Sequence, residues 1–285
     1  MLRRAGLAPR FNYAHGLSMP TRRFEIPIEG GLGETLLKLR PDFKSDIVAM
    51  FADVAPPWFI DVGANIGQTI IETFAARRWD RYFALEPDTI AAAYLRRLVD
   101  LNDLPVDILP WGAGKDAAAQ ALYATGTADP AATMAPNYRP GVYTAKMSRW
   151  VATYPLDRLL TFAELPKGLM IKIDVEGFEP DVLEGASEML ATLRPLVICE
   201  VLRAYAPAEV TPADAKMERL ERTLSSHGYR IFYVEMEGET SGRLRGLQEI
   251  PSLPRGEWRD NPSGFDYVFA PAEVRMPAAP LAPGG

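Results

Sequence analysis

The sequence predicts an α/β fold in which helices cover both faces of a mostly parallel β-sheet. Two observations lead to this fold class: short apolar runs alternate with helix-like stretches along the middle of the chain, and glycine or proline follows several of the runs. Such alternation is typical of parallel strands joined by crossover helices. The 285 residues correspond to one large domain or two small ones, and they can bury a sizeable core.

Seven apolar runs are predicted to be strands. They lie at 58–62, 81–87, 106–112, 169–177, 195–201, 229–235 and 265–270. The helices predicted between them cover 66–78, 88–101, 179–193 and 212–227. Residues 117–155 interrupt the alternation, and we interpret them as an insertion. Its segments 121–125 and 151–156 read as the strands of a β-hairpin, with a loop rich in proline and glycine between them.

The two ends of the chain differ in composition from the middle. Residues 1–40 carry arginines but lack the apolar stretch of a secretory signal, and they are either a solvated arm or a cap over a ligand. Residues 125–147 are also irregular. Together with residues 1–40, they are predicted to cover the pocket in which the ligand binds. The domain itself is predicted at 41–274, and the Pro/Ala/Gly-rich residues 275–285 are predicted to be disordered.

The composition excludes several classes of function. With 31 basic and 37 acidic residues the net charge is −6, which argues against a nucleic-acid binder that works by general phosphate neutralisation. No run reaches the roughly 18 consecutive apolar residues that a membrane span needs. The single cysteine, Cys199, cannot form an intrachain disulfide and fits a reducing cytoplasm. His15 and His227 are too far apart in sequence to suggest a histidine-rich zinc site.

The strongest motif is the sequence DVGANIGQ, which follows the first predicted strand. Gly63 lets a ligand approach the backbone closely, and the free N–H groups at the next helix start favour a polar or anionic group. Glu86 lies 86 − 67 = 19 residues beyond Gly67, at the end of the second strand, where an acid can accept hydrogen bonds from ribose hydroxyls. These features predict an adenosine-type ligand at the carboxyl edge of the sheet.

The spacing of the motif distinguishes between nucleotides. A dinucleotide fingerprint requires G-x-G-x-x-G, but Asn65 stands where the second glycine would be, and no P-loop sequence occurs. S-adenosylmethionine has no phosphate and carries an amino acid group, for which Asp61 would be a fitting partner. The motif therefore favours S-adenosylmethionine over NAD.

A second motif, IKIDVEGFEP, places acidic residues around the end of the fourth predicted strand. Strand alternation puts Lys172 and Asp174 on one side of that strand, and charges inside a buried strand are costly unless they are paired or functional. Asp174 ends the strand, where ligands bind in open α/β sheets. Glu176 and Glu179 are either functional or acids of a helix N-terminus. Glu200 occupies the matching position after the next strand.

The order and spacing of five motifs resemble the FkbM family of S-adenosylmethionine-dependent methyltransferases. The matching segments, between about residues 58 and 235, are DVGANIGQ, LEP, LDRLL, IKIDVEGFEPDVLEGA and RPLVICEV. The resemblance implies a class I methyltransferase (Rossmann-like) fold with a seven-stranded sheet, in which 265–270 is the one antiparallel strand. It also implies O-methylation of a hydroxyl on a sugar, glycan or natural product.

The resemblance also implies roles for individual residues. The residues implied to hold the cofactor are Asp61, Gly63, Asn65, Gly67 and Glu86. The full predicted cofactor set adds Ala64, Gln68, Pro87, Trp111 and Asp174. Asp174 and Glu176 are implied to lie near the transferred methyl group. Asp174 is the first candidate for the base that removes the hydroxyl proton, followed by Glu176 or Glu200.

Other interpretations of the same residues remain open. A carboxylate acceptor would need no base and would give a methyl ester. Asp174, Glu176 and Glu200 could together hold Mg²⁺ through oxygen ligands, although no metal is predicted as required. A non-catalytic nucleotide-binding module and an NAD(P) oxidoreductase are two further alternatives. The predicted partner is a small-molecule or glycan acceptor, and the sequence leaves the oligomeric state open.

Overall fold

A computed structural model describes residues 12–135, 144–161, 163–238, 242–258 and 265–277. The strands are β1 (Tyr13–Ser18), β2 (Arg23–Ile28), β3 (Trp58–Val62), β4 (Arg81–Leu85), β5 (Val106–Leu109), β6 (Gly112–Ala113), β7 (Ala118–Ala124), β8 (Met147–Tyr154), β9 (Met170–Ile173), β10 (Leu196–Glu200), β11 (Tyr229–Met236), β12 (Leu244–Ile250) and β13 (Asp266–Pro271). The α-helices are α1 (Phe43–Met50), α2 (Gln68–Ala76), α3 (Thr89–Leu101), α4 (Glu179–Glu184), α5 (Ser187–Thr192) and α6 (Val210–Ser226).

The central sheet has the strand order β12-β11-β13-β10-β9-β3-β4-β5. All seven predicted strands are present, and β13 runs antiparallel to both of its neighbours, as expected for 265–270. The prediction of seven strands is wrong by one, because β12 adds an eighth strand antiparallel to β11. Only Leu244 is buried in β12, so this edge strand has no apolar run that a sequence pattern could detect.

Helices pack on both faces of the sheet, as predicted. Helices α1, α2 and α3 share one apolar core with Phe59 of β3, whereas α4, α5 and α6 share the other core with Ile60. The neighbouring residues Phe59 and Ile60 point to opposite faces because side chains alternate along a strand. The predicted helix at 179–193 is two helices, α4 and α5, which are separated at Gly185. Gly185 lies against the backbone of Gly114, and a Cβ on Gly185 would be 2.0 Å from the Gly114 carbonyl oxygen.

The described part of the N-terminal arm, residues 12–40, contains a hairpin that the sequence did not predict. Strands β1 and β2 pair antiparallel, and the Tyr94 hydroxyl of α3 donates a hydrogen bond of 2.7 Å to the Pro27 carbonyl. The Asn102 side-chain amide accepts from the Glu25 N–H and donates to its carbonyl, both at 2.8 Å. The hairpin is therefore anchored along α3, and residues 1–11 lie outside the described residues.

The insertion after β5 forms a small sheet of its own. The predicted hairpin is present as β7 and β8, which pair antiparallel, and β6 adds a parallel third strand beside β8. Within the predicted covering segment 125–147, residues 136–143 lie outside the described residues, as do residues 278–285 of the predicted disordered tail. None of the helices in the described part of the chain is long and apolar enough to cross a membrane.

Candidate active site

A cleft opens at the carboxyl ends of β3, β4 and β9. Its lining residues are Val62, Gly63, Asn65, Leu85, Glu86, Pro87, Gly112, Ala113, Leu122, Asp129, Pro130, Ala132, Met134, Asp174, Val175 and Glu176. Among these residues Glu86, Asp129, Asp174 and Glu176 carry carboxyl groups, and none is a lysine or arginine. A cleft of this composition favours a ligand with positive charge and disfavours a pyrophosphate.

The glycine-containing turn forms the floor of the cleft. Gly63, Asn65 and Gly67 all have positive φ, of +83°, +46° and +96°, so the turn is tight enough to lead from β3 directly into α2. A Cβ on Gly63 would lie 1.9 Å from the Asp174 carbonyl oxygen. Gly63 lines the cleft, and close approach of a ligand to its backbone stays a prediction, while its missing Cβ also admits the backbone at the end of β9.

Glu86 follows β4 and faces the turn. Its Oε2 accepts a hydrogen bond of 2.8 Å from the Asn65 N–H, and its Oε1 accepts one of 2.7 Å from the Asp88 N–H. Burial raises the pKa of Glu86 to about 7, although these two N–H groups favour the charged form. The backbone bonds fix the carboxylate at the cleft wall and leave each oxygen a second lone pair for a ligand hydroxyl.

Asp61 lies behind the cleft, where it contacts the sheet rather than the lining. Its side chain is fully buried, and its Oδ2 accepts a hydrogen bond of 3.1 Å from the Tyr82 hydroxyl. Its Oδ1 is 3.8 Å from the Lys172 ammonium and has no hydrogen-bond partner in the described part of the chain. Burial raises the pKa of Asp61, and the charge of Lys172 opposes this shift.

Four other predicted cofactor residues are also absent from the cleft lining. Ala64 is buried in the core beneath the turn. Gly67 begins α2 beside Leu98, which would lie 2.6 Å from an added Cβ. Gln68 is the first residue of α2, and the Trp111 ring packs edge-on against Tyr154 with 5.4 Å between ring centroids. These residues shape the turn and the base of the insertion.

The carboxyl groups of Asp174, Glu176 and Glu200 come together at the other side of the cleft. One oxygen of each lies within 4.8 Å of the others. Asp174 Oδ2 is 2.9 Å from the Lys172 ammonium. Burial favours a higher pKa for Asp174, but Lys172 and a hydrogen bond with Glu200 outweigh it and lower the pKa. Burial and the charges of Asp174 and Asp266 raise the pKa of Glu200 well above its usual value, opposite to the shift of Asp174.

Glu176 occupies the turn that follows β9. Its φ is +54°, and the next residue, Gly177, also has positive φ. Burial, together with the charges of Glu179 and Asp129, raises the pKa of Glu176 to about 8. Glu179 points away from the cleft and accepts a hydrogen bond of 2.8 Å from the Gly177 N–H. Of the two acids left undecided by the sequence, Glu176 lines the cleft and Glu179 stabilises the turn.

A family model shows to which protein family the chain belongs. The family model of the FkbM methyltransferase domain matches residues 61–231, more than half of the sequence. The chain belongs to the FkbM methyltransferase family. The match includes Glu86 and the three clustered acids of this methyltransferase, and it leaves out α1 and β13. A comparison with curated proteins finds no significant match.

Solved structures of other methyltransferases are similar to this FkbM methyltransferase. Methyltransferase FkbM from Methylobacillus flagellatus KT is 18% identical over 75% of this chain, with a TM-score of 0.43, and this chain spans 43% of that protein. An O-methyltransferase from Bacillus cereus in complex with SAH is 11% identical over 80% of this chain and 79% of its own, with a TM-score of 0.44. Precorrin-6y C5,15-methyltransferase from Geobacter metallireducens GS-15 is 13% identical over 79% of this chain and 87% of its own, with a TM-score of 0.37.

The insertion of this FkbM methyltransferase supplies cleft residues that the sequence analysis did not single out. The Asp129 carboxylate accepts hydrogen bonds of 2.7 Å from both the N–H and the hydroxyl of Thr125, which closes a local turn. The Asp129 carbonyl accepts from the Asn65 side-chain amide at 3.2 Å, and the Thr133 hydroxyl donates to the Glu176 carbonyl at 2.7 Å. The Asp-Pro pair at 129–130 signals such a turn in the sequence.

The acidic cluster brings together the three residues of the magnesium alternative, with one carboxyl oxygen of each within 4.8 Å of the others. Magnesium would need free carboxylate oxygens from Asp174, Glu176 and Glu200. The Lys172 ammonium already lies 2.9 Å from Asp174 and would compete with a cation for this carboxylate. The ion pair disfavours magnesium at Asp174, and the magnesium alternative stays a prediction.

Proposed function

We propose that this FkbM methyltransferase transfers a methyl group from S-adenosylmethionine to a hydroxyl oxygen of a sugar, glycan or natural product. The observation that carries the proposal is a cleft between the glycine turn and Asp174, whose described lining residues include four carboxyl groups and no lysine or arginine. S-adenosylmethionine carries a sulfonium and an ammonium group and no phosphate. NAD carries a pyrophosphate, which these carboxylates would repel, so the cleft disfavours the oxidoreductase alternative.

Five of the predicted cofactor residues line the cleft and are proposed to contact the cofactor: Gly63, Asn65, Glu86, Pro87 and Asp174. The Glu86 carboxylate would accept the ribose hydroxyls through the lone pairs that its two backbone bonds leave available. The Glu176 carboxylate would lie near the positive charges of the ligand, which would favour its ionised form.

When bound, the cofactor supplies an electrophilic methyl group on a sulfonium that leaves as a neutral thioether. Asp174 would take the proton of the acceptor hydroxyl, whose oxygen would bond to the methyl group as the thioether is released. Lys172 keeps Asp174 ionised, so a proton acceptor is available at neutral pH. A weak base is sufficient in this role, because the hydroxyl becomes strongly acidic as it acquires the methyl group. The cleft walls orient the acceptor and exclude water.

Calorimetric titration with S-adenosylmethionine at pH 8, where Glu86 is ionised, tests the proposal. We expect micromolar binding to the wild type and binding about ten- to a hundred-fold weaker to Glu86→Ala, because a hydrogen bond to a charged group is worth about 1.5–3 kcal/mol. The control is Glu249→Ala, which removes a half-exposed carboxylate from β12 and should bind normally. Equal affinity of the wild type and Glu86→Ala would refute the ribose assignment.

A further inference from the structure

Three carboxyl groups stand in one row across the edge of the sheet that carries the cleft. Asp174 follows Ile173, which pairs with Cys199 of β10. Glu200 follows Cys199 and lies directly opposite Asp266 of the antiparallel strand β13. Directly opposite residues have Cβ atoms about 4.5–5.5 Å apart. Asp174, Glu200 and Asp266 are therefore consecutive members of the row, and Asp266 is the member that the sequence analysis missed.

All three side chains project to the face covered by α1 and α2. Asp266 shares this face with Val268, which belongs to the core under those helices, and Glu200 shares it with Ile198. From the helices, Lys44 reaches the same layer and forms ion pairs with Asp42 and with Glu72, the latter at 3.3 Å. Lys172 approaches from β9 and is only 8% exposed.

The members of the row act on one another through their charges. The ammonium of Lys172 contacts Asp174, and the charges of Lys44 and Lys172 favour the ionised forms of both Asp174 and Asp266. The charges of Asp174, Asp266 and Glu176 all oppose the ionisation of Glu200. Glu200 thus lies between two carboxyl groups whose negative charge disfavours its own.

We propose that Asp266 is a positioning residue for the base Asp174: the strand register places the negative charge of Asp266 beside Glu200, and Glu200 holds Asp174 in place through the hydrogen bond between them. The inference deepens the proposed function and rests on the assignment of Asp174 as the base. Asp266 and Lys44 both lie outside residues 61–231, so the segments flanking the family match complete the site. The charged groups that face the row are Asp42, Lys44, Asp61, Glu72, Lys172 and Glu176.

The protonation order follows from the surroundings of each group. Burial raises the pKa of Asp266 to about 7, with Lys44 opposing the shift, whereas the pKa of Glu200 is raised well above its usual value. Glu200 is therefore expected to be the last member of the row to lose its proton as the pH rises. Replacing the Asp266 carboxylate by a neutral group removes a like charge and lets Glu200 ionise at a lower pH.

Infrared titration of the ligand-free protein tests this order, because a protonated carboxyl group has its own carbonyl stretch. Glu200→Gln assigns the band of Glu200 in the wild type above pH 7. Asp266→Asn should lower the pH at which this band disappears by about one unit or more. The control Asp107→Asn, which removes a half-exposed carboxylate from β5, should leave the band unchanged. Asp266→Ser replaces Asp266→Asn if that variant does not fold, and Asp266→Glu should restore the wild-type titration.

The inference is overturned if the Glu200 band is missing above pH 7 in the wild type, or if it titrates identically in folded Asp266→Asn. The titration needs no cofactor, so a failure to bind S-adenosylmethionine would refute the proposed function without touching this result. Because Asp266 itself does not line the cleft, a folded Asp266→Asn variant should still bind S-adenosylmethionine. A variant that loses cofactor binding together with the band shift would show a collapsed site instead of a positioning role.

Discussion

The pKa values of acidic residues are shifted in opposite directions at the two edges of the central sheet. At the cleft edge, burial raises the pKa of Glu86 to about 7 and that of Glu176 to about 8. At the opposite edge, Nε and Nη2 of Arg194 each donate a hydrogen bond of 2.7 Å to the carboxylate of Glu273. This pairing lowers the pKa of Glu273 to about 2.

The difference shows which edge is arranged for stability and which for a ligand. A carboxyl group whose pKa is raised on folding stabilises the protein below its unfolded pKa of about 4.3, and this contribution is lost as the pH rises through 7–8. The contribution of Glu273 to stability has the opposite pH dependence, since it is present at neutral pH and is lost as the pH falls towards about 2. A cationic ligand in the cleft would favour the ionised forms of Glu86 and Glu176.

The largest effect expected at the cleft edge comes from Asp174→Asn, which keeps the shape of the side chain and removes its proton-accepting oxygen. Turnover should fall by about 10²–10⁴, the usual share of a general base, while S-adenosylmethionine affinity changes little. The measurement is transfer of labelled methyl to an acceptor found by screening sugars and natural products, with Asp181→Asn on α4 as the control. A raised cofactor KM at normal kcat would show that Asp174 acts in cofactor binding and not in catalysis. A turnover that depends only weakly on Asp174 would favour a carboxylate acceptor.

A smaller effect, on stability, is expected from Gly63→Ala. The positive φ alone costs about 1–3 kcal/mol for a residue with a side chain, and the new Cβ would meet the Asp174 carbonyl at 1.9 Å. Urea unfolding should show the loss, together with weaker cofactor binding because the turn must shift. Gly126→Ala is the matched control, since no atom lies within 4 Å of its added Cβ. Equal stability of the two variants would contradict the close approach of β3 and β9.

The smallest effect is expected at the opposite edge. Glu273→Gln removes a carboxylate that is 58% exposed, and exposed ion pairs stabilise proteins by about 1 kcal/mol or less. Its unfolding free energy should therefore lie close to that of the wild type between pH 6 and 8, and cofactor affinity should not change. If this variant weakened cofactor binding as much as Glu86→Ala, the assignment of cofactor binding to the cleft edge and not to the opposite edge would be wrong.

The cleft edge was largely predictable from the sequence because its main residues are local to strand ends. The turn at Gly63, the acid at Glu86 and the acid at Asp174 each follow an apolar run, and parallel strands bring such ends together. Asp266 was not predictable in this way, because it begins an antiparallel strand whose place beside β10 depends on contacts distant in sequence. Lys44 reaches the same layer from α1, a helix outside the alternating pattern.

The burial of individual acids was likewise beyond the sequence. Glu176 and Glu179 are three residues apart in one motif, yet one lines the cleft and the other closes a turn, because the positive φ of Glu176 redirects the chain. Asp61 matched the expected motif but lies beneath the cleft against Tyr82 and Lys172. Its proposed contact with the amino group of the cofactor stays a prediction.

The central claim is that the carboxyl groups lining the cleft receive a cationic cofactor, and the number of protons released on binding tests it most directly. S-adenosylmethionine is titrated at pH 7.5 in two buffers of different ionisation enthalpy, with the wild type and Glu176→Gln. Because Glu176 has a pKa of about 8 without ligand, a nearby positive charge should ionise it, so we predict net proton release that is reduced in Glu176→Gln. Binding with no proton release, or with proton uptake, would contradict the account.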